Sequence, residues 1–168
     1  MSFYKLIKGI RFSQLISLIG FSLKHPLLMF ATIKATSKTM KIVEEKFPRV
    51  HGLDNKANAF RHALWNSLIA IESLKFEKDI DTVISWTKEI TDWHEDFSPN
   101  KALARAMDLH NNHMGRALFL RNKSLKEREL IKELENLLLN SVQVASIEEL
   151  KNNKTNLVYK RLTICHIL

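Results

Sequence analysis

The sequence predicts an all-α fold, a single bundle-like domain of six to seven helices with an amphipathic, basic N-terminal segment. Hydrophobic residues recur at helical spacing through most of the chain, the connections are short, and no convincing pair of strands stands out. With 168 residues, of which 45% are hydrophobic and 26% charged, the chain can bury a core without a disulfide or a structural metal. Its single cysteine, Cys165, excludes an internal disulfide.

Prolines, glycines and capping residues predict where each helix begins and ends. Pro26 suits the first turn of a helix, and the helix it opens must end before Pro48, because a residue preceding proline avoids helical backbone. Ser124 and Ser146 are each followed three residues later by a glutamate, the pattern of a capping box. We therefore predict helices over 3–19, 26–46, 56–75, 79–96, 99–121, 124–140 and 146–152, and leave the state of the tail 157–168 open.

The positive charge is concentrated at one end of the chain. The net charge is +8, from 26 basic and 18 acidic residues. Residues 1–43 hold seven lysines and arginines and no acid, which leaves +1 for the other 125 residues. Within the single domain 1–168 we distinguish basic amphipathic helices over 1–46, a functional core over 52–121, and C-terminal helices with a tail over 124–168.

This basic and apolar segment predicts an anionic membrane surface as partner. Its longest uncharged stretch, residues 12–23, has twelve residues, too few to span a bilayer, and no signal-peptide cleavage site follows it. Nucleic acid ranks lower, because Leu, Ile and Phe dilute the basic residues. We expect a cytoplasmic protein or one peripheral to a membrane; export as an effector without a cleaved signal peptide is the alternative.

Three histidines occupy positions where the helical pattern predicts apolar residues. His62 shares one ridge of its helix with Asn58 and Asn66, at spacings of four and eight residues. His94 continues the apolar stripe of the next helix, and His110 lies in the middle of the apolar face of the third. A buried polar group without a partner costs about 1–3 kcal/mol, so inward imidazoles need each other, a hydrogen-bond network or a ligand.

Two interpretations of these histidines stay open. In one, His62, His94 and His110 bind a divalent metal such as zinc, and Glu95 is a fourth ligand or the general base for water. Arg61 then binds a phosphate or another anion. Asn58, Asn66 and Asn111 orient the imidazole rings. In the other, the His, Asn and Glu side chains form a hydrogen-bonded network that only orders the core.

Three short segments carry a resemblance to a known family. NAFRHALWN (58–66), DWHE (92–95) and MDLHNNHMG (107–115) resemble a bacterial all-helical family of unestablished function, whose members occur alone and as terminal modules of toxin-like proteins. The resemblance covers about residues 52–120. It implies functional roles for Asn58, Arg61, His62, Trp65, Asn66, His94, Glu95, Asp108, His110, Asn111, Asn112 and Gly115.

A more distant similarity connects the chain with the HD-type metal phosphohydrolases. In that family a histidine on one helix is followed by a vicinal His-Asp pair on another and by a later Asp. Here His62, His94 with Glu95, and Asp108 follow that order, although Glu95 replaces the Asp of the pair and Asp108 comes only fourteen residues after His94. The similarity implies that Asp108 joins the histidines as a metal ligand.

These residues together predict a metal-dependent hydrolase of a phosphoester, either a lipid or a nucleotide, and the resemblance adds a toxin-like effector role. The catalytic residues are then Glu95, His94, His62 and Arg61, and Asn112 joins the other asparagines around the site through the resemblance. Two alternatives remain. The chain is a non-enzymatic module, membrane-associated or partner-binding, with a structural His/Asn network, or it is a nuclease whose binding to nucleic acid weakens steeply with salt.

Overall fold

The computed structural model describes residues 12–49, 54–97 and 101–160. Helices dominate these ranges, which confirms the all-α prediction. The elements, in chain order, are α1 (Phe12–Lys24), α2 (Pro26–Lys46), α3 (Lys56–Ser73), α4 (Ile80–Phe97), α5 (Ala102–Arg121), α6 (Glu127–Leu139), β1 (Val142–Val144), α7 (Ile147–Lys151) and β2 (Val158–Lys160).

The first two helices form a bent pair. α1 continues through Gly20 to Lys24, so the predicted end at residue 19 is wrong; a glycine inside a helix costs only about 1 kcal/mol. Residues 3–11 of that predicted helix lie outside the described residues. The helical path breaks at His25, before Pro26, and the two axes differ in direction by 119°. No single helix among the described residues is long and apolar enough to cross a membrane, although the bent pair passes that test jointly.

Helix α3 is the centre of the fold. It contacts α2, α4, α5, α6 and β2. Its apolar residues Phe60, Leu64 and Leu68 are buried in a core to which α2, α4, α5 and α6 also contribute. Two tryptophan indoles fasten α2 to this core: Trp86 Nε1 donates to Thr32 Oγ1 at 3.0 Å, and Trp65 Nε1 donates to Thr36 Oγ1 at 2.8 Å.

The C-terminal part contains a short parallel pair of strands that the sequence pattern did not predict. Val142 of β1 pairs with Val158 of β2, and Val144 pairs with Lys160. Three residues per strand are too few to show an alternating pattern. The strands, with α7 and the start of α5, bury a second, smaller hydrophobic cluster of Ala104, Met107, Val144, Leu150 and Val158.

One predicted helix cap is confirmed and one is wrong. Ser146 Oγ accepts from the Glu149 amide at 3.2 Å, and Glu149 accepts from the Ala145 amide at 2.8 Å. The hydroxyl of Ser124 instead donates to Asn122 in the preceding turn. Helix α6 therefore begins at Glu127, three residues later than the predicted start.

Candidate metal centre

Helices α3, α4 and α5 each contribute polar side chains to one buried region. The predicted ridge of Asn58, His62 and Asn66 does face the interior, and each of the three is buried. Helix α4 contributes Glu95 near its C-terminal end, and α5 contributes Asp108. These residues form one buried polar cluster between the three helices.

His62, Glu95 and Asp108 form a group that can hold a metal ion. One ligand atom from each lies within 4.8 Å of the others, and all three residues are buried. His62 Nε2 is 3.3 Å from Asp108 Oδ1, and His62 Nδ1 is 3.5 Å from Glu95 Oε1. Two ligands bound tetrahedrally to one ion at about 2.1 Å lie about 3.4 Å apart, so the spacing between His62 and Asp108 suits a shared ion.

The hydrogen bonds of His62 define which ring nitrogen carries its proton. Arg61 Nη2 lies 2.9 Å from His62 Nε2, and a guanidinium only donates, so Nε2 accepts. In the neutral ring Nδ1 then carries the proton and donates to Asn112 Oδ1 at 3.0 Å. Burial and the Arg61 cation hold the pKa of His62 well below its ordinary value, so the ring is neutral. Arg61 therefore occupies the lone pair of Nε2, and Asp108 Oδ1 lies close to the same nitrogen.

Two carboxylates with shifted pKa values lie beside this imidazole. His62 Nε2 and Asp108 Oδ1 are 3.3 Å apart, and each accepts a hydrogen bond, Nε2 from Arg61 and Oδ1 from the Asn58 amide. Burial raises the pKa of Asp108 to about 6, although Arg61 and the Asn58 amide lower it. Burial and the nearby Asp108 also raise the pKa of Glu95 to about 7. Its Oε2 atom is buried with no hydrogen-bond partner among the described residues.

A directed chain of hydrogen bonds supports the cluster from the opposite side. Arg116 Nη1 donates to Asn66 Oδ1 at 2.7 Å, and Asn66 Nδ2 donates to Asn112 Oδ1 at 2.7 Å. Asn112 Nδ2 in turn donates to Glu95 Oε1 at 3.3 Å. Because Asn112 Oδ1 also accepts from His62, this one amide orients both the imidazole and the carboxylate.

Arg61 and His94 lie at the rim of the cluster. Arg61 is partly buried, and its Nη2 also donates to Asn58 Oδ1 at 2.5 Å. His94 is exposed, and its ring packs edge-on against Trp65 with 5.2 Å between centroids. The protein around its ring, together with the Arg61 cation, lowers the pKa of His94, so it is neutral at pH 7.

Comparison with protein families matches residues 19–142 to a family described as a domain of unknown function (DUF6973). The match covers about three quarters of the 168 residues. The chain belongs to the DUF6973 family. Residues 58–115, which hold every predicted site residue, lie inside the DUF6973 match. A comparison with curated proteins finds no match.

Not every predicted residue of this DUF6973 chain joins the cluster. His94 contributes no atom to the possible metal-holding group, since Glu95 takes the inward position one residue later. His110 turns to the other side of α5, where its Nε2 lies 2.8 Å from the carbonyl oxygen of Asn156. Asn111 likewise leaves the cluster, because its amide pairs with both backbone polar groups of Val158 at 2.9 Å.

Sequence reasoning missed part of the support and misplaced the face of α5. Asp108 and Asn112 are buried against α3, although the apolar pattern of α5 places them off its core face. The available signal was a second stripe, Asp108, Asn112 and Gly115, at spacings of four and seven residues. Arg116 was not predicted at all, and no pattern marks it apart from its place one turn after Asn112.

Proposed function

We propose that this DUF6973 protein is a metal-dependent hydrolase of a phosphoester and that His62, Glu95 and Asp108 hold the metal. One observation carries the proposal: a buried imidazole and two buried carboxylates place one ligand atom each within 4.8 Å of one another. One of these carboxylates, Glu95, has a buried oxygen with no hydrogen-bond partner among the described residues. Side chains arranged only for stability are expected to pair donors with acceptors.

The donor set suits zinc or a similar divalent ion. One imidazole nitrogen with carboxylate oxygens is a combination that Zn²⁺ and Mn²⁺ accept. A bound cation would supply a Lewis acid that polarises a phosphoryl oxygen and makes nearby water more acidic. Glu95 would then be a metal ligand. This is one of the two roles that the sequence allowed for it, the other being general base.

The rim residues would act on the substrate. The Arg61 guanidinium now occupies the His62 Nε2 lone pair, so Arg61 must leave this position when a cation binds. It can then donate to a phosphoryl group, whose growing negative charge it stabilises. His94 is exposed at the rim, where it can hydrogen-bond to the attacking water or to the phosphoryl group, but its pKa, lowered to about 4, makes it a weaker base than an ordinary histidine. A phosphoester, with its anionic oxygens, fits this pair of groups.

A structural role for the same cluster is the competing function, and burial favours it. His62, Glu95 and Asp108 are almost entirely inaccessible to solvent, and both ring nitrogens of His62 have protein partners. In that case the cluster orders the core, and the protein is a helical module that binds a membrane or a partner. The two functions differ in their response to metal.

The effect of added metal on thermal stability distinguishes the metal-dependent hydrolase from the structural role. Protein purified without a histidine tag and treated with a chelator is titrated with Zn²⁺ or Mn²⁺ while thermal unfolding is followed. An ion at one hundred times its Kd stabilises the folded state by about 2.7 kcal/mol, which raises the Tm by about 5–10 °C for a chain of this size. We expect this shift in the wild type and less than about a fifth of it in Glu95→Gln.

The matched control is His113→Gln, which removes an exposed histidine of α5 outside the group. It should retain the full shift. Equal shifts in the wild type and Glu95→Gln, or no shift in either, contradict the metal centre and leave the structural role.

Activity tests the hydrolase itself. The metal-loaded protein should hydrolyse the chromogenic diester bis(p-nitrophenyl) phosphate or the corresponding monoester. Arg61→Gln should lower kcat/KM by about 100-fold, the usual effect of removing one donor to a developing charge. Arg128→Gln, an exposed arginine of α6, is the control. Metal binding without hydrolysis of either ester rejects the hydrolase but retains the metal site.

A further inference from the structure

Helices α1 and α2 leave an unusually apolar surface in contact with solvent. Of the twelve large hydrophobic side chains exposed within the described ranges, seven lie between residues 15 and 33. They are Leu15, Ile16, Ile19, Leu23, Leu27, Phe30 and Ile33. Phe76, which follows α3, adds to them because its ring meets that of Phe30 with 6.1 Å between centroids. We call these eight residues the apolar surface.

The apolar surface belongs to helices that also pack on the core with their other side. The opposite side of α1 is in the core, where Phe21 meets the rings of Trp86 and Trp93 at 5.9 and 6.1 Å. The exposed side of α1 is nevertheless as apolar as the packed side. Monomeric proteins seldom expose a large contiguous apolar patch unless it contacts a partner, a ligand or a membrane.

Lysines adjoin the apolar surface in sequence, since Lys34 follows Ile33 and Lys75 precedes Phe76, and a buried acid holds them and Lys38 in place. Glu72 is 1% exposed, and its carboxylate lies 3.3 Å from Lys34, 3.0 Å from Lys38 and 2.6 Å from Lys75. The lysines are partly exposed while the carboxylate is covered. Solvent therefore meets these ammonium groups above an acid that it cannot reach, together with one exposed acid, Glu127, which lies 3.0 Å from Lys38.

The positive charge next to the apolar surface indicates which kind of partner this surface binds. Residues 12–43 contain no acid, and exposed Lys24 lies beside Leu23 and Leu27 in sequence. Lysines near an anionic bilayer contribute about 1 kcal/mol each, while neighbouring apolar side chains enter the boundary between headgroups and acyl chains. A second copy of this chain would instead place lysine against lysine. Nucleic acid offers no apolar phase for Leu23 or Phe30.

We propose that the apolar surface of α1 and α2 docks on the face of an anionic lipid bilayer, with the adjoining lysines contacting lipid phosphates and carboxylates. The protein lies on the interface without crossing it. Glu72 is ten residues beyond His62 on α3, about 15 Å along the helix, whereas α1 packs on Trp93, next to His94. The docking uses no residue of the metal cluster and does not rest on the proposed function.

Vesicle co-sedimentation tests the docking. The full chain is mixed with vesicles of phosphatidylcholine alone or with added phosphatidylserine. We expect binding to the anionic vesicles at least about tenfold tighter than to the neutral ones, and weaker as salt rises. Leu23→Gln with Leu27→Gln should weaken binding about tenfold or more, and Lys24→Gln about fivefold.

Leu139→Gln is the matched control, because Leu139 on α6 is 80% exposed and Leu23 is 79% exposed. It should bind vesicles like the wild type. Circular dichroism establishes that each variant is folded. Equal pelleting on neutral and anionic vesicles, or wild-type binding by the double leucine variant, overturns the proposal. The proposal is also overturned if light scattering shows a dimeric wild type and a monomeric double leucine variant while neither protein binds vesicles.

Discussion

Four asparagines in this core use the same amide group in different ways. An amide offers two donor hydrogens and an acceptor oxygen. Asn58 accepts from Arg61 and donates to Asp108. Asn66 accepts from Arg116 and donates to Asn112. Asn112 orients His62 and Glu95, whereas Asn111 pairs with a strand backbone. At this scale the position on the helix, not the residue type, decides what each amide does.

Glu72 predicts a pH dependence of stability. Burial alone would raise its pKa, but hydrogen bonds from Lys75 and Lys38 lower it from 4.5 to about 2. A carboxylate with a depressed pKa stabilises the fold above its unfolded pKa, near 4.5, and this contribution disappears as pH falls toward 2. Because the lysines are partly exposed and solvent screens them, we expect Glu72→Gln to lower the free energy of unfolding by about 1–2 kcal/mol at pH 7.

Urea denaturation at pH 7 and pH 3 measures this difference, which should be clearly smaller at pH 3. Glu135→Gln, which removes an exposed ion pair with Lys46, serves as control and should change stability by less than about 0.5 kcal/mol. An equal loss for Glu72→Gln at both pH values would show that its ion pairs are not the source.

At the scale of elements, the closeness of α3 and α5 makes the site. Gly115 of α5 lies against the backbone of Ala63, and the Ser67 hydroxyl is 2.8 Å from the carbonyl oxygen of Gly115 and 3.0 Å from that of Ala63. This contact brings two backbones together without intervening side chains. It allows short residues such as Asp108 and Asn112 to reach His62.

Gly115→Ala should therefore be destabilising. A Cβ at Gly115 would lie 2.2 Å from the carbonyl oxygen of Ala63, a distance that forces the backbones apart. Overpacking of this kind costs about 1–3 kcal/mol or more, against a gain of about 1 kcal/mol in helix propensity. Thermal unfolding should show a lower Tm. Gly20→Ala, also inside a helix but with nothing within 4 Å, should leave the Tm unchanged or raise it; a similar fall in both would contradict the packing argument.

The same contact explains how far the sequence predicted the site. The ridge of Asn58, His62 and Asn66 could be predicted because the rest of α3 is almost entirely apolar or small. In α5 the polar stripe is buried against α3, while the apolar stripe is divided between the C-terminal segment, where Met107 packs, and the large core, where Met114 packs. Periodicity alone selects the apolar stripe and so favours His110 over Asp108. Only the tertiary contact at Gly115 decides between them.

Across the whole molecule, burial is divided unequally between two hydrophobic clusters. The large one centres on α3, while the small one joins the start of α5 to β1, α7 and β2. The second is completed by polar contacts, since the Asn111 side chain pairs with Val158 and the Lys160 amide donates to the carbonyl oxygen of Asp54 at 2.9 Å. Apart from Leu157, which is buried in the large cluster, residues 142–160 thus depend on few apolar contacts.

Hydrogen exchange should detect this division. Regions with few buried apolar contacts open at lower free energy than the global unfolding reaction. We expect amides of 142–160 to exchange faster than those of Lys56–Ser73 in exchange measured by mass spectrometry. Asn111→Ala, which leaves the Val158 amide and carbonyl without side-chain partners, should accelerate exchange in 154–160 by at least about fivefold, equivalent to about 1 kcal/mol. Because α3 belongs to the other cluster, its protection should be retained. Equal acceleration in α3 would mean that the two clusters unfold as one cooperative unit and that Asn111 stabilises the whole molecule.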